Sequence, residues 1–551
     1  MLFPSSLLDA LRETPGSTAF EHGDRTVSRG ELLELIGRLA GALRAAGLGP
    51  GRAVAIGTAV TPESFAAHMA AHALGCRVVG IRPGYPEGQL AHILGMDVDA
   101  LLVDSATGPA TGPATGPATG PATGPATGPA TGPATGPATG PATGPATGPA
   151  ADPATAAPDL VRAAARHLPG KPVLRLDELL RHPGDGRALD VAARPDDVAL
   201  LTFTSGSTGR PKGCAITYRA LTEHWLWQPR RWSPVAARLA RGFERYLLFG
   251  TLASMVVMEF VAPCLLGGGT AVIHEDDGRP MFPYAIERYR ITGSIITVPK
   301  LSQMLKFLDE VDVSSLRALM VSGSPISPRR LAAAAQRLGP VVYQGYGQTE
   351  AGNIAMLTPE HIAAGVLEPV GRPHPGVEIS VRDEDGEEVT RHTQGEIHVR
   401  SPYLMKGYWG DDEETRATLR DGWLRTRDLG HVDEDGFLHL AGRSRDVVMV
   451  NAMVVYAGPI ERVLTAHPDV DEAYVVGAPD EGTGEAVHAF VVPSAGRAPG
   501  RDALRALVRQ ELGEDSVPQT ITIVSAVPLA TSGKPDKRAL SEQILRIARQ
   551  H

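Results

Sequence analysis

The sequence has few cysteines and no long uninterrupted apolar segment. Cys76, Cys214 and Cys264 are too few and too far apart for a disulfide framework or a zinc knuckle, which favours a reducing compartment. The first residues, "MLFPSSLLDALRETPG", lack a basic region followed by an apolar core, and the later stretch "TLASMVVMEFVAPCLLGGG" is interrupted by Glu259 and Pro263. We therefore expect a cytoplasmic protein without a membrane span.

The chain also lacks a concentrated run of charge of either sign. Its 53 basic and 62 acidic residues give a net charge of -9. This pattern argues against nucleic acid or a membrane surface as the main partner, so small molecules are the expected partners. With 551 residues, of which 43% are hydrophobic, the chain is long enough for at least two folding units.

The sequence "TGPA" repeats without a break from Thr107 to Ala150. Glycine and proline occupy half of these positions, so the segment cannot form a helix ladder or a buried strand. Its period of four excludes a collagen helix, which needs a period of three. We interpret residues 107–150 as a tolerated low-complexity insertion.

Outside this repeat, short apolar runs such as "AVAIGTA" and "RVVGIR" alternate with segments of helical spacing such as "ELLELIGRLAGALRAAG". This alternation predicts an α/β architecture with largely parallel strands. After about Gly442 the pattern becomes a compact set of short strands and two helices. We therefore predict a large domain of mainly parallel sheets packed with helices over residues 1–442, a hinge at 443–446 and a small α+β domain over 447–551.

The stretch "FTSGSTGRPKG", residues 203–213, places hydroxyl groups, glycines and one cation directly after an apolar run. Glycines let the backbone turn tightly towards a ligand, hydroxyl groups add donors, and a lysine adds positive charge. This combination is typical of a triphosphate-binding loop, although it lacks the Walker spacing. A flexible surface loop is the plainer alternative. The candidate phosphate ligands are Thr204, Ser205, Gly206, Ser207, Thr208, Gly209 and Lys212.

With three later motifs, this loop resembles the signature of the adenylate-forming superfamily, which includes acyl-CoA synthetases, aryl acid ligases, peptide synthetase adenylation domains and firefly luciferase. "YQGYGQTEAG" (343–352) resembles the Y-G-x-T-E motif of that family. "DGWLRTRDLGHVDEDGFLHLAGRSRD" (421–446) resembles its W-x-x-T-G-D to G-R block, and "PLATSGKPDKRAL" (528–540) its terminal G-K motif. The resemblance covers nearly the whole chain outside the TGPA repeat.

The resemblance implies an enzyme that uses ATP and Mg2+. Glu350, together with Thr204, is the implied magnesium site, because a cation that bridges phosphate oxygens needs hard oxygen ligands. Asp428 is the implied acceptor for both ribose hydroxyls, and Arg443 a further contact to ribose or phosphate. For each charged residue, a solvated surface position is the plain alternative. The remaining implied nucleotide contacts are Gly323, Tyr346, which would stack on adenine, Gly347 and Thr349, and ordinary core positions are the alternative for them.

The resemblance also implies that Lys534 is catalytic, together with Glu350 and Thr204. A cation held between the carboxylate of an acid and the α-phosphate of ATP would stabilise the approach of two anions. Lys534 lies far beyond Gly442, in the predicted small domain, which in this family closes for adenylation and rotates for the second half-reaction. We interpret Lys537 as a surface charge.

The sequence departs from the family pattern at four positions. Arg427 replaces a small residue next to Asp428, and the hinge residue is Arg445. Met449 and Ala452 occupy positions where many thioester-forming members have a lysine and a glycine that line the pantetheine tunnel. The adenylation half of the reaction is therefore expected to be intact, whereas the CoA half departs from the usual pattern.

The acid substrate is constrained mainly by what is missing. Amino-acid-activating members carry an aspartate in an F-D-x-S stretch, and the corresponding Phe249-Gly250 here has no carboxylate, which disfavours an α-amino acid. The stretch "WLWQPRRW" (225–232), with Arg230 and Arg231, is interpreted either as a wall of a pocket for an aromatic or anionic substrate or as an amphipathic surface helix followed by a loop.

Three functions remain open. The first is an AMP-forming ligase that makes an acyl- or aryl-adenylate and passes it to a thiol of CoA or a carrier protein, in specialised metabolism such as antibiotic biosynthesis. The second is an ATP-dependent diazotase that activates nitrite and diazotises an aromatic amine. The third is a catalytically silent nucleotide-binding protein, which the joint presence of Lys212, Glu350, Asp428 and Lys534 disfavours.

Overall fold

The computed structural model describes residues 2–82, 85–104, 153–204, 211–324, 326–443, 446–450, 453–480, 484–530 and 534–548. The helices in these ranges are α1 (Ser5–Glu13), α2 (Arg29–Ala45), α3 (Pro62–Ala73), α4 (Glu87–Leu94), α5 (Pro153–His167), α6 (Leu176–Leu180), α7 (Tyr218–Glu223), α8 (Pro234–Gly242), α9 (Met255–Leu266), α10 (Met281–Tyr289), α11 (Val298–Lys306), α12 (Pro328–Leu338), α13 (Pro359–Ala363), α14 (Asp412–Thr418), α15 (Ala457–Ala466), α16 (Arg501–Leu512) and α17 (Lys537–Ala548).

The strands in the same ranges are β1 (Thr18–His22), β2 (Arg25–Ser28), β3 (Ala53–Gly57), β4 (Arg77–Gly80), β5 (Ala100–Val103), β6 (Val173–Arg175), β7 (Val198–Thr204), β8 (Lys212–Thr217), β9 (Arg245–Leu247), β10 (Thr270–Ile273), β11 (Gly293–Thr297), β12 (Ala318–Ser322), β13 (Val342–Gln348), β14 (Gly352–Leu357), β15 (Arg372–Pro373), β16 (Glu378–Arg382), β17 (Gly395–Arg400), β18 (Gly407–Tyr408), β19 (Leu419–Arg420), β20 (Trp423–Val432), β21 (Leu438–Arg443), β22 (Val447–Val450), β23 (Met453–Tyr456), β24 (Val470–Asp480), β25 (Gly484–Pro493) and β26 (Thr520–Ile523).

Two large sheets carry the predicted nucleotide motifs. One has the strand order β6-β5-β3-β4-β7-β8-β18, and the other β15-β14-β13-β12-β11-β9-β10-β1-β2. Pairs such as β3 with β4 and β12 with β13 are parallel, whereas β8 and β14 return antiparallel to their neighbours. Parallel strands bring their carboxyl ends to one edge, where loops meet a ligand. The predicted α/β fold with mainly parallel sheets is confirmed.

Two smaller sheets follow along the chain. The first, β16-β17-β20-β19 with β21 beside β20, is antiparallel throughout. The second, which we call the C-terminal sheet, has the order β23-β22-β25-β24 with β26 beside β25, and a buried cluster that includes Ile460 and Leu504 packs against it. The predicted domain boundary at 443–446 stays a prediction, because Ser444 and Arg445 lie outside the described residues.

Helix α2 illustrates how the local sequence sets the elements. Ser28 accepts from the Glu31 amide, and the Glu31 carboxylate accepts from the Ser28 amide, which forms a capping box at the helix start. Leu32, Ile36 and Leu39 follow at helical spacing and are fully buried. Each cap of this kind contributes about 1 kcal/mol, and the buried face supplies most of the remaining stability of the helix. None of the helices in the described ranges is long and apolar enough to cross a membrane.

Gly371 lies where the chain passes closely over strand β14. Its φ of 117° is in the left-handed region, and a Cβ atom there would overlap the carbonyl group of Met356. We expect Gly371→Ala to lower the free energy of unfolding, by about 1 to 3 kcal/mol beyond the backbone term, because the backbone of β14 cannot move aside.

Gly365→Ala is the matched control, since Gly365 also has a positive φ, of 84°, but nothing lies within 4 Å of its added Cβ. Thermal unfolding midpoints of the two variants compare the effects. Equal decreases would show that the close approach at Met356 does not limit stability.

Candidate active site

Strands β7 and β8 place Thr204 and Lys212 opposite each other. The two strands pair antiparallel, with Thr204 in register with Lys212, and both side chains are partly accessible. Five of the predicted phosphate ligands lie between them and outside the described residues: Ser205, Gly206, Ser207, Thr208 and Gly209. Their assignment stays a prediction.

Lys212 shares a carboxylate with Arg427. Glu414 Oε1, at the start of α14, lies 2.8 Å from Lys212 Nζ and 2.6 Å from a terminal nitrogen of Arg427. Burial alone would raise the pKa of Glu414, but the hydrogen bonds and charges of the two cations outweigh burial and keep the pKa below its usual range. Arg427 therefore extends the positive charge of the predicted phosphate site. The motif comparison missed Glu414, which lies about 200 residues beyond Lys212 in the sequence.

Glu350 occupies the turn between β13 and β14. The Tyr408 hydroxyl donates to Glu350 Oε1 at 2.8 Å, and burial together with Glu350 raises the pKa of Tyr408. No group of three or more His, Cys, Asp or Glu side chains that could hold a metal ion occurs in the described ranges. A single carboxylate fits Mg2+, which takes its remaining ligands from phosphate and water. Glu350 with Thr204 stays the predicted magnesium site.

Asp428 is held by three neighbours. Tyr346 and Gln348 donate to Oδ2, each at 2.6 Å, and Arg443 Nε donates to Oδ1 at 2.9 Å. The aspartate is 4% exposed, so these contacts fix the orientation of both carboxylate oxygens. Burial, and then the charge of Asp428, raises the pKa of Tyr346. The geometry brings together three residues that the sequence predicted, Tyr346, Asp428 and Arg443, and adds Gln348, which sequence comparison did not single out.

Lys534 reaches the end of β12. A Cβ built on Gly323 would lie 3.8 Å from Lys534 Cε, and the loop is closed by a 2.8 Å hydrogen bond from the Ala530 amide to the Lys534 carbonyl. Much of the lysine side chain stays accessible, yet protein surrounds it on several sides. This desolvation, with repulsion from Arg443 and Arg82, lowers its pKa. Lys534 and Gly323, which are far apart in sequence, therefore lie close together.

Lys537 is not a surface charge, so that prediction is wrong. Its Nζ lies 2.8 Å from Asp446 Oδ2 and 2.9 Å from Glu461 Oε1, and the side chain is partly buried. The two carboxylates outweigh burial and raise the pKa of Lys537. Both partners are more than 70 residues away along the chain, which is why the local sequence gave no sign of them.

The stretch 225–232 forms two short 3-10 turns, Trp225–Trp227 and Pro229–Arg231, rather than an amphipathic α-helix. Trp225 and Trp227 are buried, whereas Arg230 and Arg231 are exposed, and Arg231 pairs with Glu223 at 2.7 Å. The surface-helix alternative is therefore wrong. The two arginines lie on the surface.

The other predicted positions are less informative. Gly347 lies in β13 opposite Asn353, and Thr349 is partly buried in the turn before Glu350. The hinge residue Arg445 and Ala452 lie outside the described residues, as does the side chain of Met449.

Two protein-family models match this chain and decide which family it belongs to. A family model described as AMP-binding enzyme matches residues 7–409, and a second, AMP-binding enzyme C-terminal domain, matches residues 459–534. The chain belongs to the AMP-binding enzyme family. This confirms the resemblance to the adenylate-forming superfamily.

Relatives and solved structures extend the comparison. The chain is 30% identical over 533 residues to a feruloyl-CoA synthase of Amycolatopsis sp, and the aligned region covers 95% of each chain. It is 34% identical over 360 residues to the medium/long-chain-fatty-acid--CoA ligase FadD8 of Mycobacterium tuberculosis, 63% of this chain but only 61% of the relative. The structure of the amide bond synthetase McbA from Marinactinospora thermotolerans superposes with a TM-score of 0.78 at 33% identity, over 98% of this chain and 100% of the other.

We expect Asp428→Asn to raise the KM for ATP. Charged hydrogen bonds contribute about 1.5–3 kcal/mol, so loss of the carboxylate should weaken ATP about 10- to 100-fold. Steady-state kinetics of pyrophosphate release with varied ATP measures the change. Asp433→Asn is the matched control, because the Asp433 carboxylate forms a hydrogen bond with His439 in a surface turn. An unchanged KM for ATP in Asp428→Asn would contradict the ribose assignment.

The lowered pKa of Lys534 predicts that the rate of adenylation falls at alkaline pH. We call this falling part of the pH profile the alkaline limb. Because this pKa lies below the ordinary value, the lysine loses its proton, and the rate falls, at lower pH than for an unperturbed lysine. Arg82→Gln removes a repelling cation, so the pKa should rise and the limb should move to higher pH. Profiles of pyrophosphate release against pH test this, with Arg52→Gln as control. If the alkaline limb does not move in Arg82→Gln, the titrating group is not Lys534.

Proposed function

We propose that this enzyme uses ATP to convert a carboxylic acid into an acyl-adenylate and then transfers the acyl group to a second nucleophile. The observation that carries the proposal is the position of Lys534 beside Gly323, in the cleft that also contains Asp428 and Glu350. A nucleotide-binding protein without catalysis needs Asp428 and Lys212, but it has no use for a cation delivered from the distant C-terminal segment.

The proposed residues divide the work. Lys212 and Arg427 bind and orient the phosphates, Asp428 holds the ribose, and Glu350 with Thr204 would hold Mg2+, which would neutralise phosphate charge when bound. Lys534 stabilises the charge that develops as the acid carboxylate meets the α-phosphate. Such preorganised contacts typically contribute about 3 to 4 kcal/mol to the transition state, or ~10² to 10³ in rate.

The proposed substrate is an aryl or acyl carboxylic acid. Feruloyl-CoA synthase and the fatty-acid ligase are named for acids of these two kinds, which supports this class. The Phe249-Gly250 stretch supplies no carboxylate for an α-ammonium group, which argues against an α-amino acid.

A thiol of CoA or of a carrier protein is the leading acceptor, because both of these relatives are named for CoA thioester formation. An amine is the second candidate, since the similarity to an amide bond synthetase extends over nearly the full length of both chains. Diazotisation of an aromatic amine with nitrite is the remaining alternative, and it shares the same ATP site.

A pyrophosphate-release assay tests the function. The protein, ATP and Mg2+ are combined with aliphatic, benzoic and cinnamic acids, and then with CoA, with amines, or with nitrite and an aminobenzoic acid, with products identified by mass. We expect acid-dependent release, and a decrease of ~10² to 10³ in Lys534→Ala. Lys171→Ala is the control, because Lys171 lies on the surface beside Asp99.

Four outcomes would redirect the proposal. Release that requires nitrite and yields a diazo product would establish the diazotase. Amide formation without CoA would make the amine the acceptor. Absence of release with every acid and with nitrite would leave a silent nucleotide-binding protein, and unchanged turnover in Lys534→Ala would remove the assigned role of that residue.

A further inference from the structure

A buried histidine and a buried glutamate meet behind the turn that carries Glu350. His224 follows helix α7, and Glu259 lies in the middle of helix α9. His224 Nε2 lies 3.0 Å from Glu259 Oε1, and the two residues are 0% and 2% exposed. The nucleotide site uses neither residue, and charged side chains are seldom buried so completely without a reason.

The pair is incompletely satisfied. The Leu226 amide donates to His224 Nδ1 at 3.4 Å, so Nδ1 is an acceptor and the proton of a neutral ring is on Nε2. Neither Nε2 nor Glu259 Oε1 completes a hydrogen bond of good geometry with any described residue. The carboxylate therefore retains capacity to accept a further hydrogen bond.

Gly352 packs directly against this pair. It is the first residue of β14 and follows Glu350 by two positions, with a φ of 63°. A Cβ at Gly352 would lie 3.0 Å from Glu259 Oε1 and 3.1 Å from His224 Nε2. Any larger residue would separate the pair from the β13–β14 turn, so the glycine keeps it in contact with the edge of the sheet that carries Glu350.

The strand order of the sheet gives an approximate distance between Lys534 and the strand that packs against the His224–Glu259 pair. Lys534 lies against Gly323 at the end of β12, and β12, β13 and β14 are successive neighbours. Two strand spacings, roughly 10 Å, separate β12 from β14. This is comparable to the length of a single-ring aromatic acid whose carboxylate lies beside Lys534.

Flat rings surround the pair. The Tyr403 ring lies 4.7 Å from the His224 ring, and Trp225 stacks on His374 at 4.2 Å. Asn353, next to Gly352, contacts His374 at 3.2 Å. Rings of this kind pack well against a planar substrate.

We infer that the His224–Glu259 pair determines acid specificity by accepting a hydrogen bond from an O–H or N–H group at the end of the substrate opposite its carboxylate. The inference rests on the proposed function. A site built to bond such a donor discriminates strongly against the analogue that lacks it, because its own polar group is then left unpaired.

Matched acids test the inference on the full-length enzyme. 4-Hydroxycinnamic acid is compared with cinnamic acid, and 4-aminobenzoic acid with benzoic acid, in wild type, Glu259→Leu and Glu259→Gln. We expect wild type to favour the donor-bearing acid in kcat/KM by about 10- to 100-fold. Glu259→Leu should abolish this preference through the KM for that acid, and Glu259→Gln, which keeps one acceptor oxygen, should restore part of it. The KM for ATP should not change.

Each outcome is decisive. Wild type without a preference for the donor-bearing acids, or variants that lose activity equally on both members of a pair, would overturn the inference and assign the pair a structural role. If Glu259→Leu does not fold, the wild-type ratio and Glu259→Gln decide alone. If no acid supports pyrophosphate release in wild type, the proposed function fails and the inference fails with it. Adenylation of both acids with equal kcat/KM would overturn the inference alone.

Discussion

The approach of Lys534 to Gly323 depends on how the C-terminal sheet is held against the start of helix α12. Arg329 donates to the Pro468 carbonyl at 2.6 Å, and Arg330 lies 3.3 Å from Glu472 Oε1. From helix α15, Arg462 donates to the Ala441 carbonyl at 2.7 Å. These three contacts are polar, which is common between domains that move relative to one another. Lys537, bound to Asp446 and Glu461, keeps the segment that carries Lys534 attached to the strand that follows β21.

Charge balance determines the rest of the site. Lys212 and Arg427 lie close to each other and would repel, but Glu414 lies between them and offsets much of that repulsion. At the predicted ribose position the signs are reversed, since Asp428 is the buried anion and Arg443 is its cation. Each charged group is therefore held by a partner before any nucleotide binds. Preorganisation of this kind reduces the free energy needed to order the side chains during reaction.

Helix α9 contains a buried carboxylate, Glu259, at a position where an apolar residue would be expected to be at least as stable. An apolar residue in place of Glu259 would cost nothing in desolvation, and cores commonly tolerate or favour such an exchange. The chain instead keeps a carboxylate 3.0 Å from an imidazole, inside a helix whose other buried residues are apolar or small, such as Phe260, Val261 and Leu265. Buried polar groups that lack complete hydrogen bonding are concentrated at functional sites, where a ligand completes them.

The sequence by itself determined the family and the α/β fold, and it predicted roles for the residues that lie in contiguous motifs. The Ser/Thr/Gly run before Lys212, the Y-G-x-T-E turn and the terminal lysine are contiguous motifs, so their roles could be predicted without a structure. Glu414, Gln348, His224 with Glu259, and the carboxylates around Lys537 could not be identified in this way. Each acts through a partner at least 35 residues away, and neither residue type nor helical or strand period indicates which distant side chains meet. Only packing of the sheets and helices decided those pairs, because long-range contacts depend on the complete three-dimensional path of the chain.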